Sequence, residues 1–385
     1  MYIYTRFLCL FFLLINTTIV TAQPYTIGTH SENFLDFSRF RFITVQYYYP
    51  IEGTEIPNGE YPLVVLGHAL ATDATAYEYL SETLAALGYI VAIPNEETGF
   101  LPSQEDLALD MAFVYETLNS VGASSMFFGH ISDKSAMLGH ALGGGAALLA
   151  MQSAANVTTA VALAPADISP LPSDVSVNDA VATLNKPTLI VAAEHDDIAS
   201  DHSLTIYNNI ATTNERLLVE IAGASHCQFT SGNNANGCFN LESAARLFTN
   251  NSYIDITTQH NNMYRIVLPW LQYWLKNDCP SYSFLMAQIA DATSYSAVLN
   301  DMSVHCPSVD VQLRLFLEGA YVAGSMNTSL YSNGLLAETQ SYKASPWSYD
   351  GLELLYPNTL SNVVDWVLVE VRSASNNYTV LETRA

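Results

Sequence analysis

Three short stretches hold the residue types that could do chemistry. GHALGG (139–144) ends one apolar run, AEHDD (193–197) ends a second, and GASH (223–226) ends a third. In the first, glycines flank Ala141. That is the sequence form of a sharp strand-to-helix turn, in which a side chain at the flanking positions would clash and the central residue is presented to a site. With serine at its centre such a turn offers a nucleophile; alanine offers none. The second stretch supplies Asp196 or Asp197, either of which could accept a histidine Nδ1–H bond; Asp196 is favoured as the first position clear of the strand. The third supplies His226 as a general base. Nucleophile turn, then acid, then base is a working chain order for acyl transfer. Taken singly, each has a plainer reading: a glycine-rich turn with no site, a helix-capping aspartate, a structural histidine. Their joint placement at three strand ends favours the chemical one.

Two backbone donors complete the expected constellation. An oxyanion formed at position 141 would be met by the N–H of Leu142 and by an N–H in the loop LGHALAT (66–72), at Leu70. Neither depends on the side chain at 141. No neighbour replaces the missing hydroxyl, because Ser135 lies upstream of the turn and Ser225 precedes His226 in another loop.

The elements that must position these residues alternate. FITVQYYYP (42–50), YPLVVLGH (61–68), YIVAIPN (89–95), KSAMLGH (134–140), TTAVALAP (158–165), KPTLIVAAEHD (186–196) and ERLLVEIAGASH (215–226) predict strands. ATAYEYLSETLAALG (74–88), SQEDLALDMAFVYETLNS (103–120), a segment from Leu142 and MYRIVLPWLQYWLK (263–276) predict helices; Ser103 is a cap, with Glu105 and Asp106 in its first turn. The alternation predicts an α/β fold, a mostly parallel sheet with helices on both faces, whose ligands bind beyond the carboxyl ends of the strands. After Cys306 two-residue alternation replaces helical periodicity, so residues 23–308 are read as the α/β domain and 309–385 as a small β-rich module. There is no repeat of 20 to 50 residues.

Composition narrows the partners. The 385 residues carry 37 acidic and 13 basic side chains, a formal net charge of −24, which leaves no basic face for nucleic acid. MYIYTRFLCLFFLLINTTIVTAQ reads as a cleaved secretory signal over residues 1–22: Arg6 precedes the apolar run Phe7 to Ile15, which is too short to span a bilayer, and Val20 and Ala22 suit a cleavage site. The protein is therefore expected to be secreted or at the cell surface. Cys9 leaves with the signal. Cys227, Cys238, Cys279 and Cys306 remain, an even set suited to disulfides, of which three pairings are open; sequential pairing closes the shortest loops. A metal–thiolate site has no CxxC spacing to support it. The sequons at Asn156, Asn327 and Asn377 matter only if the source glycosylates exported proteins.

From about Gly28 to Cys306 these motifs together resemble the α/β-hydrolase superfamily. Within it, PTLIVAAEHDDIAS and GASH are most similar to the branch of cutinases, polyester hydrolases, dienelactone hydrolases and platelet-activating-factor acetylhydrolase-like esterases. The resemblance implies ester hydrolysis by Ser-His-Asp without metal or cofactor, on an ester, lipid or polyester-like partner. It assigns the triad to Ala141, Asp196 and His226, and the oxyanion donors to Leu70 and Leu142. The departure is Ala141. Loss of a triad serine costs on the order of a millionfold in turnover, while roughly a thousandfold enhancement over water survives from the oxyanion hole and binding. Three readings stand: an esterase complete but for one oxygen, which Ala141→Ser would restore; a pseudoenzyme that binds without turnover; and a surface scaffold or assembly protein. The stretch LEGAYVAGSMNTSLYSNGLL with VVDWVLVEVRSA resembles the β module of many exported Bacteroidetes proteins, which usually runs on beyond the point corresponding to Ala385, so a truncated end is expected.

Overall fold

The computed structural model describes residues 25–303, apart from positions 100, 155, 169–174 and 233–234, together with residue 305 and short stretches beyond it as far as 384. The signal segment, Cys306 and the sequons at Asn327 and Asn377 lie outside the described residues. The chain divides into two compact units, of which the larger is Pro24–Leu313.

Nine strands of the larger unit form one sheet: β1 (Thr26–Asp36), β2 (Arg41–Ile51), β3 (Tyr61–Gly67), β4 (Ile90–Pro94), β5 (Ile131–His140), β6 (Thr159–Leu163), β7 (Thr188–His195), β8 (Arg216–Ser225) and β9 (Tyr295–Asn300). Their spatial order is β1-β2-β4-β3-β5-β6-β7-β8-β9. β3 to β8 run parallel to their neighbours among themselves. The flanks do not: β1, β2 and β9 join antiparallel. The sheet is thus mostly parallel, and the antiparallel borders are hairpin and return strands that need no crossover helix.

The central strands are short and apolar because both of their faces are covered. Leu63, Val65, Met137, Ala160 and Ile190 enter one core cluster with α2 (Gln104–Asn119) and α3 (Leu142–Ser153). The alternate residues Val64, Leu138, Val161 and Leu189 are equally buried and face the other way. On that side α7 (Ile256–Lys276) buries Trp270, whose Nε1 donates to Thr159 Oγ1 at 2.9 Å. α1 (Glu78–Ala86), α4 (Val177–Val181), α5 (His202–Asn209), α6 (Asn236–Thr249) and α8 (Cys279–Ile289) complete the layers. Ser103 caps α2 by accepting from Asp106 N–H at 3.0 Å, and Asp255 caps α7 by accepting from Thr258 N–H at 3.0 Å.

Among the described residues no helix is long and apolar enough to cross a membrane. In the second unit the described stretches are two short antiparallel pairs, Tyr321–Val322 with Ser325–Met326 and Val369–Arg372 with Val380–Arg384, and a helical turn at Ser329–Ser332.

Candidate active site

β5 ends at His140 and α3 begins at Leu142, so Ala141 alone makes the turn. Its φ is 53° and its ψ is −117°, a region that a residue with a Cβ occupies only under constraint. The constraint is close backbone packing. A Cβ on Gly139 would sit 2.0 Å from the Gly143 carbonyl oxygen, and one on Gly143 would sit 2.2 Å from the carbonyl oxygen of Gly67 at the end of β3. Ala141 N–H donates to Leu163 O at 3.0 Å, and Ala141 O accepts from Ala166 N–H at 2.9 Å. The buried Gln104 adds a brace: its Nε2 donates to Leu142 O (2.7 Å) and Ala166 O (2.8 Å), and its Oε1 accepts from Ile168 N–H (3.0 Å).

The structure brings His226 to Asp196. His226 Nδ1 lies 2.8 Å from Asp196 Oδ2, and both side chains are buried. Asp196 Oδ1 accepts from Ile198 N–H (3.0 Å) and Ala199 N–H (2.6 Å), which fixes the carboxylate in the turn after β7. Asp197 turns away and accepts from Asn251 Nδ2 and the Tyr253 hydroxyl. Burial opposes charge on both members of the pair, and their mutual attraction outweighs it: His226 titrates above the ordinary histidine value and Asp196 below the ordinary aspartate value. Among the described residues His226 Nε2 has no hydrogen-bond partner.

The loop carrying His226 is clamped from three elements. Cys227 is disulfide-bonded to Cys238 on α6. One turn further along α6, the buried Glu242 accepts from Cys227 N–H at 2.9 Å and from Ser225 Oγ at 3.2 Å. Gln259 on α7 takes both sides of the Ser225 backbone, accepting its N–H at 2.9 Å and donating to its carbonyl at 2.8 Å. From β5, His140 Nε2 reaches His226 O at 3.0 Å.

That last bond sets a tautomer. A carbonyl only accepts, so His140 carries its proton on Nε2, and Nδ1 accepts from the Tyr77 hydroxyl at 2.8 Å. Tyr77 Oη in turn accepts from Ala69 N–H at 2.9 Å. Burial first, and the nearby His226 second, hold His140 well below the ordinary histidine value, so it serves as a neutral link. The chain Ala69–Tyr77–His140–His226 ties the loop after β3 to the histidine loop through the strand-to-helix turn at Ala141, the elbow. Leu70 lies in that first loop and Leu142 at the first position of α3; among the described residues neither N–H donates to another protein group. The same loop meets α6, because a Cβ on Gly237 would sit 2.7 Å from Ala71 O.

Sequence reasoning did not find Glu242, Gln259, Tyr77 or the linking role of His140. Only Glu242 had a usable signal, its i,i+4 spacing from Cys238, and that signal needed the disulfide pairing first. Cys279 is also disulfide-bonded; its expected partner, Cys306, lies outside the described residues. No cluster of three or more His, Cys, Asp or Glu side chains able to hold a metal ion occurs among the described residues.

A family model of PET hydrolase-like proteins matches residues 20–307. Among characterised relatives, cutinase est2 of Thermobifida alba is 30% identical over 183 residues, covering 46% of this chain and 55% of that protein. Bis(hydroxyethyl) terephthalate hydrolase of Streptomyces coelicolor is 27% identical over 206 residues, covering 53% and 61%. Cutinase 1 of Thermobifida cellulosilytica is 24% identical over 208 residues, covering 54% and 73%. The chain thus spans less than two thirds of the length of the first two relatives. The family match covers the whole nine-stranded sheet and every residue of the site above: this chain belongs to the PET hydrolase-like family.

Proposed function

We propose that the unit spanning the nine-stranded sheet is a secreted carboxylic-ester site of the Ser-His-Asp kind in which one oxygen is missing. His226 is the base, Asp196 holds its Nδ1 proton, and the N–H groups of Leu70 and Leu142 receive the oxyanion. Ala141 stands where the nucleophile belongs, so the protein binds a carboxylic ester of the polyester or lipid type and forms no acyl-enzyme. Water activated by His226 is the only nucleophile left, which keeps turnover near the floor set by binding and the oxyanion donors, about a thousandfold over water. The observation that carries this reading is the buried His226–Asp196 pair at 2.8 Å with Nε2 of the ring uncommitted. The names of the cutinase and terephthalate-ester hydrolase relatives support the ester class.

The test is chemical restoration. Ala141→Ser should raise turnover of a short-chain chromogenic ester by several orders of magnitude, and Ala141→Ser/His226→Ala should lose the gain. The unmodified protein should gain thermal stability from non-hydrolysed ester analogues. A folded Ala141→Ser protein that turns over nothing, beside an unmodified protein that is stabilised by ester, favours the pure binding reading. No stabilisation and no turnover favours the scaffold reading and ends this one.

A further inference from the structure

Among the described residues, three exposed phenylalanines gather at the edge of the sheet that carries the site, whereas the exposed Phe128 lies before the start of β5, toward the other edge. β1 and β2 form a hairpin, and β2 runs antiparallel to β4 with Val45 opposite Pro94. The hairpin tip therefore lies beyond the carboxyl end of β4, on the edge where β5 ends at His140. At the tip, Phe37, Phe40 and Phe42 are 75%, 85% and 70% exposed, and Leu101, in the loop after β4, is 93% exposed. Across the site, past the histidine loop, α6 ends in Leu247 and Phe248, 83% and 90% exposed. Isolated exposed apolar residues need no explanation; a cluster beside a site does.

Two features show that the tip is built to be exposed. Phe40 has a φ of 50°, where glycine would be at ease and a bulky side chain is strained. Its ring packs into no core that would repay the strain. Beneath the rings the tip is stiffened by charge pairs. Arg39 Nε meets Asp36 at 2.6 Å and its Nη2 meets the fully buried Asp110 at 2.6 Å. Arg41 Nη2 meets Glu97 at 2.6 Å and Asp110 at 2.9 Å. Both arginines are thereby spent internally, so the tip offers apolar rings without a free cation.

We propose that this tip is an anchor by which the protein adsorbs to the surface of a solid, uncharged polyester, with the site held against the same surface. The inference rests on the ester-site reading above. Charge chooses the occupant: a net charge of −24 and two committed arginines disfavour an anionic lipid surface, while rings and a neutral polymer need no counter-charge. In the strand order β2 lies three positions from β5, so the anchor stands about 14 Å across the edge from the elbow. That spacing lets one flat surface meet both.

The experiment measures partition of the purified full chain between solution and amorphous aromatic polyester particles, bare silica, or phosphatidylcholine vesicles. Because Ala141 forms no acyl-enzyme, adsorption is read without turnover. Phe37→Ser/Phe40→Gly/Phe42→Ser should lower the polyester partition coefficient by about a hundredfold, leave the melting midpoint unchanged or higher, and leave Ala141→Ser turnover of a soluble ester unchanged. Phe40→Gly alone, which relieves strain, should lower adsorption several-fold. Equal adsorption of the triple variant overturns the proposal. So does vesicle binding as strong as polyester binding, or a dimer of the unmodified chain that the triple variant dissociates. An Ala141→Ser protein inert toward soluble ester, with ring-dependent adsorption intact, would remove the ester-site reading and leave the anchor standing.

Discussion

The disulfide beside His226 makes a quantitative prediction. Cys227 and Cys238 are separated by 11 positions, and Cys227 directly follows His226. In the chain-entropy account, opening a loop of that size by Cys227→Ser/Cys238→Ser costs about 2.8 kcal/mol at 25 °C. The 290 residues of the unit Pro24–Leu313 imply an unfolding entropy of about 0.6 kcal/mol/K. The melting midpoint should therefore fall by about 5 °C. Catalysis should suffer less than stability. Glu242 still holds Cys227 N–H, Gln259 still holds the Ser225 backbone, and His140 still holds His226 O. In an Ala141→Ser background the double cysteine variant should lose less than about tenfold in ester turnover, whereas adding Gln259→Ala should lose far more. Calorimetry and a soluble-ester assay on the same preparations decide it. A midpoint that does not move, or a thousandfold loss of turnover with the midpoint nearly intact, would refute the reasoning: the first would mean that the loop is not closed by this bond, the second that the hydrogen bonds do not position the histidine.

The other predictions follow from the same geometry. Gly139→Ala should abolish folding to the native state, a cost of about 4 kcal/mol or more, because its Cβ would lie 2.0 Å from the Gly143 carbonyl oxygen; a soluble, normally melting variant would show that the elbow has room. In an Ala141→Ser background Asp196→Asn should cost about 10⁴ in turnover and Asp197→Asn less than about tenfold, since only Asp196 meets His226; equal losses would contradict the assignment. If His226 is the base, as proposed, it works as neutral imidazole, so turnover should rise with pH through its raised pKa, and in Asp196→Asn that limb should move to lower pH. For stability the signs are opposite. The His226 contribution is complete below its unfolded pKa and disappears as pH rises through its folded pKa; that of Asp196 is complete above its unfolded pKa and disappears as pH falls through its lowered folded pKa. Melting midpoints of the unmodified chain against His226→Ala across pH should therefore differ most between the two folded pKa values.

What the sequence disclosed was local, and what it hid was relational. The central strands were legible because strands buried on both faces are continuous apolar runs, and the elbow because its glycines are demanded by backbone contacts within a few residues. β1 was hidden. Most of its residues are exposed, so it carries no apolar alternation to read. α6 was hidden by the asparagine- and glycine-rich SGNNANG that leads into it, although the helix supplies two of the groups that hold the histidine loop. Tyr77 and His140 each look like an ordinary core residue. Their linking role depends on partners 63 and 86 positions away in sequence, and no spacing rule reaches that far. The choice between Asp196 and Asp197 turned on one residue of strand length: β7 ends at His195, so Asp196 follows the strand directly and is the one that meets His226.

The alanine must be weighed against what surrounds it. The strained backbone at Ala141 is not by itself a sign of catalysis, because close packing of Gly139 and Gly143 would impose it on any residue there. The His226–Asp196 pair is different. Neither β5 nor β7 needs it, and a buried charged pair stabilises a fold less than apolar side chains of the same volume would. Glu242 adds a second buried carboxyl, whose pKa burial pushes upward, under the same loop. A protein using this fold only as a scaffold would be more stable with these groups replaced by leucine or methionine. Their presence together, with the histidine proton held on one side and Nε2 left open on the other, is what the ester ligand proposed above would require. A carbonyl-bearing ester held by the Leu70 and Leu142 amides fits that requirement whether or not a hydroxyl stands at position 141.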